Sequence, residues 1–257
     1  LTDSGVDLLQ FRADSGRLLS LIRYSAHTTV IGPENMEFSA GYPGYLRALV
    51  EERFGGEAFY MAGAVGSMGP RLPQDQDSAG PDDFARAAAL AGGLDRVMTR
   101  ELELTAVTQA VPNKQAVLAV ADLPLRSPPI QLRIAGGLRL SPIFLAMNGV
   151  TRRGRMTAVM IGNVVIIGFP GDLSGEIGAR LRQWGEVRGL HVIPVSFAGA
   201  YQGYISPDAY YGELRENGSL AYETGIMSWT GPGQEQFFST VARRLIETLD
   251  AWAADTR

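Results

Sequence analysis

The stretch MTAVMIGNVVIIGFPGD, residues 156–172, carries the clearest structural signal in this chain of 257 residues. Two apolar runs, 156–161 and 164–169, flank a Gly-Asn dipeptide, which is a turn sequence typical of β-hairpins. The second run is apolar throughout, which is the pattern of a strand buried on both faces. It ends in a polar residue, Asp172, just before a predicted helix.

Outward from this hairpin, predicted strands and helices alternate along the chain. The other predicted strands are 6–12, 17–26, 58–62, 116–125, 130–134 and 192–197. The predicted helices are 43–54, 81–103, 174–187 and 235–254. The alternation predicts an α/β fold, with mixed parallel and antiparallel sheet flanked by helices. We expect one domain over residues 1–257, and the early first strand suggests a segment upstream of Leu1.

Composition excludes several classes of protein. The chain is 46% hydrophobic and 19% charged, with a net charge of −4, which is typical of a globular protein with a large core. Without a concentrated basic face, nucleic acid is not expected as a partner. The absence of cysteine excludes disulfides, thiolate metal sites and cysteine nucleophiles. No apolar run is long enough for a transmembrane segment, and no signal peptide begins at Leu1.

Polar residues follow four of the predicted strands. They are His27, the loop 66–70, Asp172, and the pair Tyr201 and Tyr204. In open α/β sheets, ligands bind beyond the carboxyl ends of the strands, so these residues are expected on a common rim. The only other histidine, His191, precedes a strand. We therefore place it at the opposite end of the sheet, in a structural role.

An imidazole, a carboxylate and a phenol can together hold a divalent metal. Zinc accepts nitrogen and oxygen ligands, and a catalytic site keeps one position open for water. His27, Asp172 and Tyr204 are candidate ligands on residue type alone. The loop amides at Gly66, Ser67 and Gly69 could stabilise an oxyanion.

Each candidate also has a structural interpretation. His27 could be a surface or capping residue, and Asp172 could cap the following helix. The loop containing Gly66 could simply be a tight turn with close backbone approach. The tyrosines between 201 and 222 could cover apolar surface. A serine-hydrolase elbow is not predicted: Val65 occupies the first glycine position of G-x-S-x-G, and Ser174 suits a helix N-terminus.

The order of short segments resembles the neutral/alkaline, non-lysosomal ceramidase family. The resemblance rests on AHTT at 26–29, SAGYPGY at 39–45, GSMGP at 66–70, PGD at 170–172 and YQGYI at 201–205. These segments occur in the family's order over most of the chain. They cover only the later part of the family's catalytic domain.

The resemblance implies a ceramidase-like fold and zinc-dependent hydrolysis of the amide of N-acylsphingosine. It matches His27, Asp172 and Tyr204 to zinc ligands, with a first histidine expected upstream of Leu1. Tyr201 lies in the same motif as Tyr204 and is expected to be catalytic. The implied substrate is lipid-like or a small acyl amide. Family analogy suggests a secreted or periplasmic location, and the oligomeric state stays open.

Four motif positions depart from the family pattern. Gly69 replaces a serine implicated in catalysis, Asp172 replaces a glutamate, and Gly41 replaces an aspartate common in that region; Ser67 also stands in place of an aspartate. These changes keep two alternatives open. One is a catalytically degenerate relative that binds a lipid or a protein. The other is a metallohydrolase that acts on a different small acyl substrate.

Overall fold

The computed structural model describes residues 2–71, 82–105, 117–131, 133–135, 138–147, 151–212 and 221–255. The chain divides into two compact units. The larger unit comprises Leu1–Asp3, Gly63–Met68 and Gln115–Arg257, and the smaller comprises Ser4–Ala62 and Gly69–Lys114. The expectation of one domain over the whole chain stays a prediction.

The smaller unit contains a three-stranded sheet and two helices. Strand β1 (Val6–Arg12) pairs antiparallel with β2 (Leu18–Tyr24), which pairs parallel with β3 (Glu57–Ala62). The helices are α1 (Gly41–Phe54) and α2 (Asp83–Thr105). The two predicted strands 6–12 and 17–26 therefore form an antiparallel pair. The predicted strand 58–62 is β3, in which Ala58 is buried and Phe59 is exposed, because the core residues cover one face of this sheet.

The larger unit contains a four-stranded sheet in the order β10-β8-β7-β4. These strands are β4 (Leu118–Arg126), β7 (Arg153–Ile161), β8 (Val164–Gly168) and β10 (His191–Val195). Its helices are α3 (Pro142–Met147), α4 (Gly175–Glu186) and α5 (Gln234–Asp255). Two short pairs, β5 (Arg133–Ala135) with β6 (Leu138–Arg139) and β9 (Asp172–Leu173) with β11 (Tyr204–Ile205), complete it.

One face of the four-stranded sheet forms the core of the larger unit. Met156, Met160 and Ile167 are fully buried in one cluster with Phe238 and Ile246 of α5. The predicted hairpin β7–β8 is confirmed as an antiparallel pair. Its second strand alternates between buried and partly exposed residues, so the expected burial on both faces holds only in part.

The sheet topology sets the position of the candidate site. Strands β8 and β10 are parallel neighbours, so the chain leaves both at the same edge of the sheet. Beyond that edge, the two continuations pair again as the parallel strands β9 and β11. The sheets are mixed and flanked by helices, as predicted. Within the described residues, no helix is long and apolar enough to cross a membrane.

Candidate functional site

A buried carboxylate lies next to two phenols in the larger unit. Asp172 is only 1% exposed, and it pairs in parallel register with Tyr204 across β9 and β11. The Tyr201 hydroxyl donates a hydrogen bond to Oδ2 of Asp172 at 2.7 Å. The structure therefore brings together three residues that the sequence analysis singled out, Asp172, Tyr201 and Tyr204.

Both phenols are held in the protonated form. Burial raises the pKa of Tyr201, and its hydrogen bond to Asp172 and the charge of that carboxylate raise it further. Burial also raises the pKa of Tyr204, with the negative charge of Asp172 as the next cause. At neutral pH each phenol is thus a hydrogen-bond donor beside an anionic group.

Two glycines allow the site segments to approach so closely. A Cβ on Gly171 would lie 2.3 Å from the carbonyl oxygen of Gly203. Gly203 has a φ of +79°, a conformation that suits glycine. The carbonyl of Gly203 also accepts a hydrogen bond from the Asp172 amide at 3.1 Å. Backbone contact, enabled by these glycines, fixes the spacing between the carboxylate and the phenols.

The helix cap is Ser174 and not Asp172. The Ser174 side chain accepts a hydrogen bond from the Glu176 amide at the start of α4. The predicted role of Ser174 is confirmed. The alternative in which Asp172 caps the helix is wrong, because Asp172 lies in β9 and its carboxylate accepts from Tyr201.

The glycine-rich loop contacts β9 through its backbone. The Gly66 amide donates to the Leu173 carbonyl at 2.7 Å, and a Cβ on Gly66 would lie 2.3 Å from the Asp172 carbonyl oxygen. The amide is therefore engaged and is not available for the oxyanion role expected of Gly66. The tight-turn interpretation explains this glycine.

Ser67 and Gly69 are the other residues of this loop that were expected to stabilise an oxyanion. The Ser67 hydroxyl accepts from the Gly175 amide at 3.0 Å and lies 3.1 Å from the Ser174 hydroxyl, so it helps to build the start of α4. Gly69 is exposed, and a Cβ there would meet nothing within 4 Å. The oxyanion roles expected of Ser67 and Gly69 stay predictions.

His27 lies in the smaller unit, three residues beyond the end of β2, and is partly buried. The preceding carbonyl, of Ala26, accepts a hydrogen bond from the Tyr42 hydroxyl at 2.7 Å. The position of His27 after a strand agrees with the sequence analysis, and the role of His27 as a metal ligand stays a prediction. His191 is the first residue of β10, at the opposite end of that strand from the Asp172 edge, as expected.

Comparison with solved structures identifies the fold. The chain superposes on the neutral ceramidase from Pseudomonas aeruginosa with a TM-score of 0.69 and 16% sequence identity, covering 92% of this chain and 45% of that one. The chain has a ceramidase-like fold. A second structure, described as ceramidase complexed with C2, gives a TM-score of 0.65 at 16% identity, covering 91% of this chain and 46% of that one. No protein-family model and no curated protein sequence matches the chain.

The candidate ligands of this ceramidase-like chain carry nitrogen and oxygen donors, which are the kinds of donor atom that zinc binds. Over the described ranges, no three His, Asp or Glu side chains cluster in a way that could hold a metal. The predicted ligand set is of a different type, because it combines one imidazole and one carboxylate with one phenol. A buried carboxylate beside two phenol oxygens supplies the oxygen part of that set within the larger unit. The fit is therefore one of chemistry, and the part of His27 in a metal site stays a prediction.

Gln234 is a buried residue that holds β11 and that no sequence pattern indicated. The Gln234 side chain is fully buried, and its Nε2 donates to the Tyr204 carbonyl at 2.8 Å. The same amide group also hydrogen bonds the hydroxyls of Tyr211 and Ser228, and its Oε1 accepts from Thr230. Gln234 thus fixes the backbone that carries the Tyr204 phenol.

A second residue without a sequence signal is Gln202, which follows Tyr201. Its side chain is 2% exposed, and neither polar atom has a hydrogen-bond partner in the described part of the protein. Burying an unpaired polar group costs about 1–3 kcal/mol. We therefore expect a water molecule or a bound molecule to contact this carboxamide.

Replacing Gln234 with leucine is expected to lower the free energy of unfolding by about 1–3 kcal/mol. The change removes the donor to the Tyr204 carbonyl and the acceptor for the buried Thr230 hydroxyl. Urea unfolding would measure it, with Gln236→Leu, an exposed position on the same helix, as the control. Equal stability of the two variants would contradict the structural role of Gln234.

Alkaline titration is expected to reveal a late class of tyrosines. Burial raises the pKa of Tyr24 and Tyr42, raises that of Tyr60 to about 12, and raises those of Tyr201 and Tyr204. Because the folded pKa values lie above the unfolded value of about 10, their stabilisation is complete below pH 10 and is lost as the pH rises through the raised values. Phenolate absorbance should therefore lag in the folded protein and rise with unfolding. A titration identical to that in denaturant would contradict this.

Proposed function

We propose that the chain is a ceramidase-like, zinc-dependent hydrolase that cleaves an acyl amide, N-acylsphingosine or a related compound. The observation that carries the proposal is the hydrogen bond from Tyr201 to the buried carboxylate of Asp172, in register with Tyr204. The ceramidase-like fold supports the same class of reaction. At 16% identity, and with about half the length of those ceramidases spanned, the likeness alone fixes the fold and not the activity.

In this proposal, His27, Asp172 and Tyr204 hold the metal ion. A bound zinc ion supplies a Lewis acid that polarises a carbonyl and lowers the pKa of water towards neutrality. The negative charge of Asp172 attracts a cation to the two phenols. The burial of Asp172 strengthens that attraction, because few solvent molecules screen it.

Tyr201 has two tasks in this scheme. Its hydroxyl donates to Oδ2 of Asp172 and so fixes the orientation of the carboxylate that would bind the metal. In the metal-free protein, burial, the hydrogen bond to Asp172 and the charge of that carboxylate raise the pKa of Tyr201, so the phenol is a hydrogen-bond donor at neutral pH. The ring is 40% exposed, so the phenol is also accessible to a substrate.

The decisive experiment is an assay of N-acylsphingosine hydrolysis by the purified protein. Sphingosine and fatty acid should be released in equal amounts, activity should disappear with a chelator, and added zinc should restore it. Tyr201→Phe should lower turnover by about 10-fold or more, given the usual size of effects on metal affinity when a residue holding a ligand is removed. Tyr210→Phe, which loses a hydrogen bond to Glu176 on α4, is the control.

A binding module without turnover is the second candidate. It is favoured by Gly69, which has no side chain where the family carries a serine implicated in catalysis. It predicts binding of a lipid-like amide, with no product even when zinc is added. Robust cleavage of any acyl amide would exclude this candidate, and cleavage of short amides only would favour a metallohydrolase of different specificity.

Gly69→Ser tests the significance of the missing serine directly. Because the position is exposed and a Cβ there meets nothing within 4 Å, the free energy of unfolding should change by less than about 0.5 kcal/mol. If the chain hydrolyses amides weakly through metal and water, the restored hydroxyl should raise turnover. Gly69→Ala is the matched control, and equal turnover of the two variants would show that this position takes no part in the reaction.

A further inference from the structure

Three aromatic side chains border the phenols of the candidate site. The Phe197 ring stacks on Tyr201, with centroids 6.2 Å apart and an interplanar angle of 23°, and Trp229 meets Tyr201 edge-on at 5.3 Å. Tyr222 meets Tyr204 edge-on at 5.7 Å. We refer to Phe197, Tyr222 and Trp229 as the aromatic rim. The rim is continuous with the two phenols beside Asp172.

Two of the three rim side chains are exposed. Phe197 is 47% exposed and Tyr222 is 49% exposed. Large aromatic side chains that stay in water gain little from folding, whereas a ligand that covers them gains their apolar area. The rim therefore resembles the apolar part of a binding site, placed next to a polar cluster.

Phe197 is also held in an unfavourable backbone conformation. Its φ is +60°, and it is the one non-glycine residue with positive φ in the described ranges. Its amide donates to the Gly171 carbonyl at 3.2 Å, and the next amide donates to Phe169 at 2.9 Å, so the turn is fixed on both sides. Bulky residues rarely adopt this conformation, and such strain concentrates at functional sites. Glycine at this position would remove the strain, so the aromatic ring is the feature that needs an explanation.

We propose that the aromatic rim binds the acyl chain of a lipid-like acyl amide, and that Phe197 sets the preference for long acyl chains. This rests on the proposed function, because the rim is placed by its contacts with Tyr201 and Tyr204. A polar carboxylate–phenol cluster that adjoins uncharged aromatic rings matches an amphiphile, with a polar amide and a long apolar chain. The rim residues are uncharged, which favours hydrocarbon over a charged ligand.

Phe197→Gly removes the aromatic ring and also relieves the backbone strain, and the two effects are measured separately as ligand binding and as stability. Loss of the ring should weaken binding of N-hexadecanoylsphingosine by about 10-fold or more, given the apolar contact removed. Binding of N-acetylsphingosine, which keeps the sphingosine chain and shortens only the acyl chain, should change little, because the rim is assigned to the acyl chain. The melting temperature should stay the same or rise, by up to about 4 °C, since positive φ suits glycine. Weaker binding together with unchanged or higher stability is the expected signature.

Two further variants complete the set. Phe197→Tyr keeps an aromatic ring at the same backbone position and should retain long-chain binding. Phe144→Ala removes an exposed ring on α3 of the same unit and should leave both ligands unaffected. Binding is measured by tryptophan fluorescence with each sphingosine amide in detergent micelles, with empty micelles as the blank. Light scattering follows self-association of every variant.

The outcomes are distinct. Equal binding of the long-chain amide by the wild type and Phe197→Gly would overturn the inference, as would a wild type that does not bind it. A loss of self-association in Phe197→Gly, without a change in lipid binding, would assign the rim to a second copy of the chain. Chain-length-dependent binding without any product would instead refute the proposed hydrolysis and leave the rim as a lipid-binding surface.

Discussion

Asp172→Asn is expected to abolish most of the zinc binding and turnover of the protein. The substitution keeps the size of the side chain and an oxygen that can accept from Tyr201, but it removes the buried negative charge. Zinc affinity should fall by at least about 10–100-fold, the range found even for residues that only support a metal ligand. Zinc content after dialysis and the rate of N-acylsphingosine hydrolysis would measure the change.

An independent readout shows whether the charge acts as the structure indicates. The negative charge of Asp172 contributes to the raised pKa of both Tyr201 and Tyr204, so Asp172→Asn should lower the pKa of each phenol. This shift does not depend on zinc or on turnover. Asp255→Asn, exposed at the end of α5, is the control. Retained zinc and activity in Asp172→Asn would refute the ligand role.

Gly66→Ala is expected to have the largest effect on stability among the loop variants. The added methyl group would lie 2.3 Å from the carbonyl oxygen of Asp172 and 3.0 Å from the carbonyl carbon of Leu173. Both contacts are with backbone atoms, so no side-chain rotation relieves them. Separating the loop from β9 also lengthens the hydrogen bond from the Gly66 amide to Leu173. Overpacking of this kind lowers the free energy of unfolding by about 1–3 kcal/mol or more.

The control for Gly66→Ala lies in the same loop. Gly69→Ala adds the same methyl group where nothing lies within 4 Å, so its stability should stay within about 0.5 kcal/mol of the wild type. Urea unfolding of both variants measures the difference. Because the clash falls on Asp172, Gly66→Ala should lose turnover as well. Equal stability of the two variants would contradict the close approach of the loop to β9.

Local patterns were enough to predict much of the fold. The Gly-Asn turn between two apolar runs predicted the hairpin β7–β8, and the serine before an amphipathic run predicted the start of α4 at Gly175. Both features depend on residues that are adjacent in the chain. The ordered motifs also led to the ceramidase-like fold, which the solved structures support.

The sequence analysis left two roles open, or assigned them wrongly, where one residue could hydrogen bond with either of two partners. Asp172 precedes a helix, so it could have capped that helix, but Ser174 takes this role and leaves the carboxylate for Tyr201. Gly66 could have offered its amide to a substrate, but the Leu173 carbonyl accepts it. The competing partners lie on other segments, and their proximity depends on chain pairing that periodicity does not encode.

The sequence by itself determined the classes of element, the hairpins and the candidate residues, because turns, caps and hydrophobic periods act over a few neighbouring positions. The tertiary structure alone decided which candidates meet. Tyr201 and Asp172 are 29 residues apart, and Gln234 reaches a carbonyl 30 residues away. The parallel pairing of β8 with β10 carries both site segments to one edge of the sheet. Such pairing depends on the free energy of the whole folded core, and no short stretch of sequence contains it.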